Sequence, residues 1–171
     1  KRIDKLLEAF AALKKSGFPD FTLTIAGNDW EGLLKGYMNK GIMLGIDNKI
    51  NYAIDPSDEE TKALYAGHEF FVSASEYEGF GISLVEAMAS SCFPIVQENE
   101  GFRNIIGDSE GGILIDFADK EDFVKSVRKI IEWGGMRKMH VRKNAAERAK
   151  DFSWGKKINE IEGIYGDIVG H

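Results

Sequence analysis

Two carboxylates, Glu78 and Glu86, are separated by seven residues and bracket a glycine-rich turn, Glu78-Gly79-Phe80-Gly81. The run Phe70-Phe71-Val72-Ser73-Ala74 leads into them and reads as a buried strand. Gly79 and Gly81 break that strand. A helix follows, with Val85, Met88, Ala89 and Cys92 spaced as its inward stripe. Strand, turn and helix start together present backbone N–H groups near Gly81 and Ile82 and the positive end of a helix dipole, which suit phosphate oxygens. Glu86 is the only charge between Ile82 and Ala89. A carboxylate on such an apolar surface needs hydrogen-bond donors, and sugar or ribose hydroxyls are suitable ones. Spacing alone leaves open that both glutamates are solvated, with Glu86 merely favouring the helix start.

Other reactive side chains offer less. His68 falls at a helix-to-strand turn, His140 on a basic helix and His171 at the end of the sequence, and no metal-ligand spacing links them. Structural or solvated roles are expected for all three. Cys92 is the single cysteine, so no intrachain disulfide can form; a small core residue in a reducing compartment is expected. Arg137, Lys138, Arg142, Lys143, Arg148 and Lys150 read as an exposed basic face. The formal net charge of −6 argues against a general nucleic-acid or anionic-membrane binder. No apolar run approaches the length of a membrane span.

The elements that must position the two glutamates follow from periodicity. An amphipathic helix over Lys1–Lys15 carries Ile3, Leu6, Leu7, Phe10 and Leu13 on one face and ends at Gly17 and Pro19. A strand spans Phe21–Gly27, and Asn28-Asp29 starts a short helix; Gly41–Asn48 reads as loop. Lys49–Ala53 is a second strand, and Pro56-Ser57-Asp58-Glu59-Glu60 caps a helix running to Ala66. Phe93–Gln97 and Gly112–Asp116 are further strands, with a short helix over Asn104–Gly107 between them. Asp119 caps a helix with Phe123, Val127, Ile130 and Ile131 inward, and Gly134-Gly135 ends it. A basic helix and a last one, capped by Ser153 and carrying Ile158, Ile161 and Ile164, complete the chain.

Five strands alternating with helices predict a single α/β domain over residues 1–171, a doubly wound, mostly parallel, Rossmann-like sheet. Its ligand is expected outside the carboxyl ends of the strands, near Gly27-Asn28-Asp29, Tyr52-Ala53, Ser75–Gly81 and Gln97-Glu98-Asn99. The helix at Lys1 lacks the strand that would normally precede it. The opening at Lys1 rather than Met is expected of a fragment.

The residues around the two glutamates carry a resemblance. Glu78-Gly79-Phe80-Gly81 and Glu86-Ala87-Met88-Ala89 match, in spacing and context, the two-glutamate signature of retaining glycosyltransferase family 4, whose members have the GT-B fold. Lys1-Arg2-Ile3-Asp4-Lys5-Leu6-Leu7 resembles that family's K-G-I-D-x-L-I, and Leu23-Thr24-Ile25-Ala26-Gly27 its L-x-I-x-G strand. Leu64-Tyr65 with Phe70–Ser75 resembles the lead-in to the signature, and Phe152-Ser153-Trp154 the family's F-S-W.

The resemblance implies a nucleotide-sugar donor-binding domain, one half of a GT-B fold. Lys1 would hold the donor diphosphate beside the backbone of Gly79, Phe80, Gly81 and Ile82, Glu86 the ribose, and Tyr52 and Ala53 the base. Glu78 would act at the sugar ring as the catalytic residue, holding the donor rather than attacking it. The donor is a substrate; no cofactor is implied, and the absence of D-x-D argues against a bridging metal. The acceptor, a glycan or a lipid-linked sugar, would be bound by an N-terminal domain outside this chain. The resemblance further implies a cytoplasmic enzyme, with peripheral contact at the inner membrane face left open.

Two departures stand out. The family's arginine before this lysine lies outside the chain, and Ser90-Ser91-Cys92-Phe93-Pro94 lacks the usual glycine before proline. The second variant resembles exopolysaccharide-type mannosyltransferases and tilts the donor toward GDP-mannose over a UDP-sugar. Alternatives are a non-catalytic nucleotide-sugar-binding module working with a partner chain and a sugar-nucleotide epimerase of the same fold. A dinucleotide-binding Rossmann domain is disfavoured, because no G-x-G-x-x-G follows a strand.

Overall fold

The computed structural model describes residues 1–169, so His171 lies outside the described residues. Helix α1 (Ile3–Lys15) buries Leu6, Leu7, Phe10 and Leu13, the apolar stripe of its sequence, and leaves Lys14 and Lys15 on its last turn in solvent. Strand β1 (Leu23–Gly27), helix α2 (Leu34–Leu44), strand β2 (Ile50–Ile54), helix α3 (Asp58–Gly67) and strand β3 (Phe70–Ser73) follow. Helix α4 (Ile82–Ala89), strand β4 (Phe93–Gln97), helix α5 (Glu100–Ile106) and strand β5 (Ile113–Ile115) build the second part. Helices α6 (Lys120–Glu132), α7 (Gly135–Ala149) and α8 (Trp154–Val169) close the chain.

Three of the expected caps form, among them Ser153, whose hydroxyl accepts from the Lys156 amide at 3.4 Å at the start of α8. Ser57 Oγ accepts from the Glu60 amide while Glu60 accepts from the Ser57 amide, a reciprocal box that starts α3. Asp119 accepts from the amides of Glu121 and Asp122 at the start of α6.

Every strand pair is parallel, as expected, but the described strands form two sheets rather than one. β1 pairs with β2, and β3 with β4, which pairs with β5. No backbone ladder joins β1 to β3. They still run side by side, because His68, two residues before β3, bonds Thr24 near the start of β1 through Nε2 and Oγ1, 2.8 Å apart. The other ring nitrogen of His68 bonds the Leu64 carbonyl at 2.6 Å, the structural role expected of it.

The three-stranded sheet is covered on both faces. Along β4, Phe93 and Ile95 enter one core with Leu7, Phe10, Phe117, Phe123 and Ile130 beneath α1 and α6. Val96 enters the other, with Leu84, Met88, Phe102, Ile105 and Ala145 beneath α4, α5 and α7. The period-2 alternation of a strand thus feeds two layers of helix, the doubly wound arrangement.

Several boundaries differ from the expectation. α2 starts at Leu34 rather than at Asn28, because Asn28–Leu33 is taken up by a turn through Gly32 (φ 66°) and the Asp29 carboxylate caps the Leu34 amide. Gly41 lies inside α2 rather than opening a loop; a Cβ there would sit 3.1 Å from Ile50, so glycine permits close helix–strand packing. α5 begins at Glu100, earlier than expected, because Asn99 caps it. The buried face of α4 is Leu84, Ala87 and Met88; Ala89 is exposed, and Cys92 lies beyond the helix. The helix stops early, at Ser90, with Ser91 left-handed (φ 60°). Buried Cys92 donates its thiol to the Tyr65 carbonyl at 3.1 Å, and burial raises its pKa. Ile131 of α6 and Ile158, Ile161 and Ile164 of α8 are exposed rather than inward.

Phe123 is fully buried with its ring against Phe10 and Phe117 at centroid distances of 5.5 and 5.1 Å. Phe123→Ala should therefore lower unfolding free energy by about 3–5 kcal/mol, whereas Asp119→Ala, which removes only a cap, should cost about 1 kcal/mol. Urea denaturation of both variants checks the ranking.

Candidate functional site

The loop between β3 and α4 is held from three sides. Ser75, buried, donates its hydroxyl to the Tyr77 carbonyl at 2.9 Å. Asn99 donates through Nδ2 to the Ser75 carbonyl at 2.7 Å and accepts from the Phe102 amide at 2.8 Å, so one side chain both caps α5 and ties it to the loop. Gly101, in the first turn of α5, lies under the loop so closely that a Cβ would be 2.4 Å from the Glu78 carbonyl oxygen.

Gly81 closes the loop as the residue before α4. It is left-handed (φ 75°), and a Cβ there would meet Ile105 at 2.7 Å. The left-handed conformation favours glycine, and a side chain there would also have to displace the end of Ile105. No side chain caps α4, and Ile82 and Glu86 are exposed. The first turn of the helix is open to a ligand that can accept hydrogen bonds.

Of the two glutamates, Glu78 is the more enclosed. Its side chain is 12% exposed and accepts from Lys1 Nζ at 2.8 Å. Arg2 beside it is left-handed (φ 53°) and bridges Glu76 at 2.6 Å and both carboxylate oxygens of Asp4 at 3.1 and 3.0 Å. The hydrogen bond from Arg2 is the main cause holding the Asp4 carboxyl below its ordinary pKa. These contacts pin the amino end of α1 to the loop beyond β3.

Glu86 faces outward from the second turn of α4. Tyr65 of α3 lies 3.3 Å from both Glu86 Oε2 and the Ser83 carbonyl, so its single proton is shared between two acceptors. Burial, and then the Glu86 charge, push the Tyr65 phenol well above its ordinary pKa. Tyr65 thus stays a neutral donor that orients Glu86.

Phe80 stacks edge-on against Phe152, with centroids 5.9 Å apart and planes at 81°. Arg148 lies over the other ring, 4.9 Å from its centroid, and bonds the carbonyls of Asn104 and Ile105. The Phe152-Ser153-Trp154 segment therefore buttresses the loop through its phenylalanine, while Trp154 stays exposed.

Lys1, Glu78, Gly79, Phe80, Gly81, Ile82 and Glu86 thus gather around one loop and one helix start. Tyr52 does not join them through its side chain. Its phenol is turned toward α2, where a Cβ on Gly41 would lie 3.7 Å from the oxygen, and it is buried without a hydrogen-bond partner. Ala53 lines a separate small hollow with Pro56, Leu64 and His68.

Four residues supporting the site were not singled out for it from sequence: Arg2, Tyr65, Asn99 and Gly101. Asn99 was recoverable from the cap preference of asparagine ahead of an apolar turn. Nothing local marks Gly101, whose requirement comes from a backbone that approaches from another part of the chain.

Among the described residues no group of three histidine, cysteine, aspartate or glutamate side chains is placed to hold a metal ion. No helix among them is long and apolar enough to cross a membrane.

This combination of a parallel α/β fold and a two-glutamate loop is that of a glycosyltransferase domain. Residues 1–150 match the family model described as "Glycosyl transferases group 1", and the chain belongs to that family. It is 34% identical over 115 residues to the GDP-mannose:cellobiosyl-diphosphopolyprenol alpha-mannosyltransferase of Xanthomonas oryzae pv. oryzae, a match covering 67% of this chain and 30% of that protein. The fold superposes on a glycosyltransferase from Rickettsia africae with a TM-score of 0.85 at 22% identity, covering 98% of this chain and 44% of that one. It is similar also to the pneumococcal O-GlcNAc transferase GtfA, solved with UDP and GlcNAc (TM-score 0.75, 20% identity, 100% of this chain and 34% of that one). The chain spans less than half the length of the curated relatives it matches, and its fold is one half of the GT-B architecture of its structural neighbours.

Gly101→Ala should displace the loop by forcing Glu78 away from α5. Amide hydrogen exchange over residues 76–82 should then accelerate by about tenfold or more. Gly134→Ala, at a position with open space around the added carbon, should leave it unchanged.

Proposed function

We propose that this chain is the donor-binding domain of a retaining hexosyltransferase that uses a nucleotide diphosphate sugar. The observation that carries this reading is the joint placement of Glu78 and Glu86 on either side of an open helix start, with Lys1, ahead of α1, bonded to Glu78. A diphosphate seated at the start of α4 would meet the amides after Gly81, the helix dipole and the Lys1 ammonium. Each stabilises the charge that grows on the leaving group as the glycosidic bond to phosphate breaks. Glu86, held by Tyr65, offers a carboxylate to the two ribose hydroxyls. Glu78 lies closer to the loop and would hold the hydroxyls of the sugar ring.

Lys1 and Glu78 satisfy each other in the ligand-free arrangement. Donor binding then exchanges one pairing for two: ammonium with phosphate, and carboxylate with sugar hydroxyls. We assign the diphosphate to protein groups without a bridging metal, on the ground that no D-x-D occurs in the sequence. The Xanthomonas relative is named for GDP-mannose and for a polyprenol-linked acceptor. GDP-mannose is accordingly the favoured donor, and a lipid-linked glycan, bound by a domain outside this chain, the favoured acceptor. On this reading the protein works in the cytoplasm, at the inner membrane face, and the chain alone transfers no sugar.

Calorimetric titration with GDP, UDP, GDP-mannose and UDP-glucose, in the presence of a chelator, tests the proposal. One nucleotide should bind selectively, and Glu86→Ala should weaken it roughly ten- to hundredfold through lost hydrogen bonds to a charged acceptor. Glu78→Gln should change affinity for the bare nucleotide less than about fivefold, since Gln keeps a hydrogen-bonding oxygen and the bare nucleotide has no sugar for Glu78 to hold, yet lose the preference for the sugar-bearing form. Failure of every nucleotide to bind, in this chain and in a longer one that includes the preceding domain, overturns the assignment.

A further inference from the structure

A cavity of about 1050 Å³ lies between β1 and β3, and one of its walls leads away from the two-glutamate loop. Ser83 in the first turn of α4, Tyr65 and Thr61 of α3, and Pro56, Ile54 and Trp30 line that wall. Tyr65 is the residue bonded to Glu86, whereas Ile54 ends β2 and Trp30 lies in the turn after β1. A nucleoside whose ribose is held at Glu86 can therefore extend its base toward the carboxyl ends of β1 and β2.

Trp30 is 86% exposed there, unusual for a side chain that is mostly buried in folded proteins. Its place is nevertheless fixed. The Gly32 amide closes its turn by donating to the Asp29 carbonyl at 3.1 Å. With the Asn28 carboxamide oriented so that both its ends are paired, its oxygen accepts from Trp30 Nε1 at 2.9 Å and its nitrogen donates to Asp55 Oδ1 at 3.2 Å. Asp55 follows β2 with a left-handed backbone (φ 48°), and its amide donates to the Gly27 carbonyl at 3.2 Å. Indole, carboxamide and carboxylate thus form one chain across the ends of β1 and β2. The indole N–H is satisfied while its ring stays open. Asp55 is exposed, and its Oδ2 has no partner among the described residues.

A flat apolar ring beside an acceptor-only group offers the two contacts that a nucleobase takes, stacking on its face and hydrogen bonds along its edge. The carboxylate discriminates among bases. Guanine presents N1–H and an exocyclic N2–H side by side, two donors for two carboxylate oxygens. Adenine and cytosine place a ring acceptor beside their amino donor, and uracil flanks its one N–H with two carbonyls. Those acceptors repel a carboxylate. We infer that Trp30 and Asp55 are the residues that choose the base, and that they choose guanine: Trp30 stacks on the ring, and Asp55 accepts from N1 and N2. The assignment rests on the donor-binding reading and names the side chains that set its specificity. Asn28 is a positioning residue, which holds the indole and the carboxylate in register.

Calorimetric titration of the 171-residue chain and of two variants with GDP, UDP, xanthosine diphosphate and inorganic pyrophosphate tests this. The unaltered chain should prefer GDP. Trp30→Ala should weaken GDP by about tenfold or more, the scale of one base–aromatic stack, and leave pyrophosphate unchanged. Asp55→Asn keeps an oxygen for Asn28 and turns an amino donor toward the base. It should weaken GDP and strengthen xanthosine diphosphate, whose C2 bears an oxygen in place of the amine, shifting the ratio of the two affinities by about tenfold or more. A gain for one ligand cannot arise from a damaged fold. Three results each overturn the inference and leave the donor-binding reading in place: selective binding of UDP, GDP binding unaltered by Trp30→Ala, or an unchanged ratio in Asp55→Asn. Failure of every nucleotide to bind, in this chain and in a longer one that includes the preceding domain, overturns both.

Discussion

The functional loop depends on a close approach between two stretches of backbone. Where α5 passes under the loop after β3, the space between Gly101 and the Glu78 carbonyl admits no side-chain carbon. At the other end of the loop Gly81 has a left-handed backbone and is packed against Ile105. Between these two fixed points the chain has little freedom, and Asn99 and Ser75 remove most of what remains. Glu78, Phe80 and the start of α4 occupy their positions because the loop has been made rigid from below, by a helix that carries no site residue.

Charge is arranged with similar economy. Five glutamates, Glu76, Glu78, Glu86, Glu98 and Glu100, stand on the loop, on α4 or at the start of α5. Their cationic partners among the described residues are Lys1 for Glu78, Arg2 for Glu76 and Arg103 for Glu98. An anionic ligand enters such a place only where backbone amides and a helix dipole add to the side-chain cations. Of the neighbouring helix starts, that of α4 is uncapped by a side chain, whereas Asn99 caps that of α5. On the donor-binding proposal, the overall negative charge is no obstacle to a phosphate: the attraction would be local and built from dipoles rather than from net charge.

The two sheets show how helices can hold a fold whose central ladder is interrupted. α1 and α6 cover one side of the cavity between β1 and β3, α3 the other, and His68 spans them at one end. Burial of apolar side chains supplies most of the cohesion there, since no strand ladder joins β1 to β3 among the described residues. Both the position of Lys1 and the direction of the β3 edge are set by this packing.

The sequence by itself determined the alternation of strand and helix, the parallel pairing this implies, the glutamate pair on its glycine turn, and the caps at Ser57, Asp119 and Ser153. These are local properties of spacing, side-chain branching and capping chemistry, and they survive whatever the rest of the chain does. It misjudged Gly41, because a glycine that permits helix–strand contact has the same local signature as one that ends a helix. It misjudged the inward face of α4, because its spacing was extended to Cys92 beyond the point where Ser91 turns the chain. The strand position of Tyr52 does not say where its phenol goes; it packs toward α2. Only the tertiary structure decided that Lys1 meets Glu78, that Tyr65 orients Glu86, that Phe152 supports Phe80 and that Gly101 fixes the loop. Each of these joins residues far apart in the chain, and the packing of helices on a sheet sets such distances through the summed shape of many side chains, which no local pattern contains.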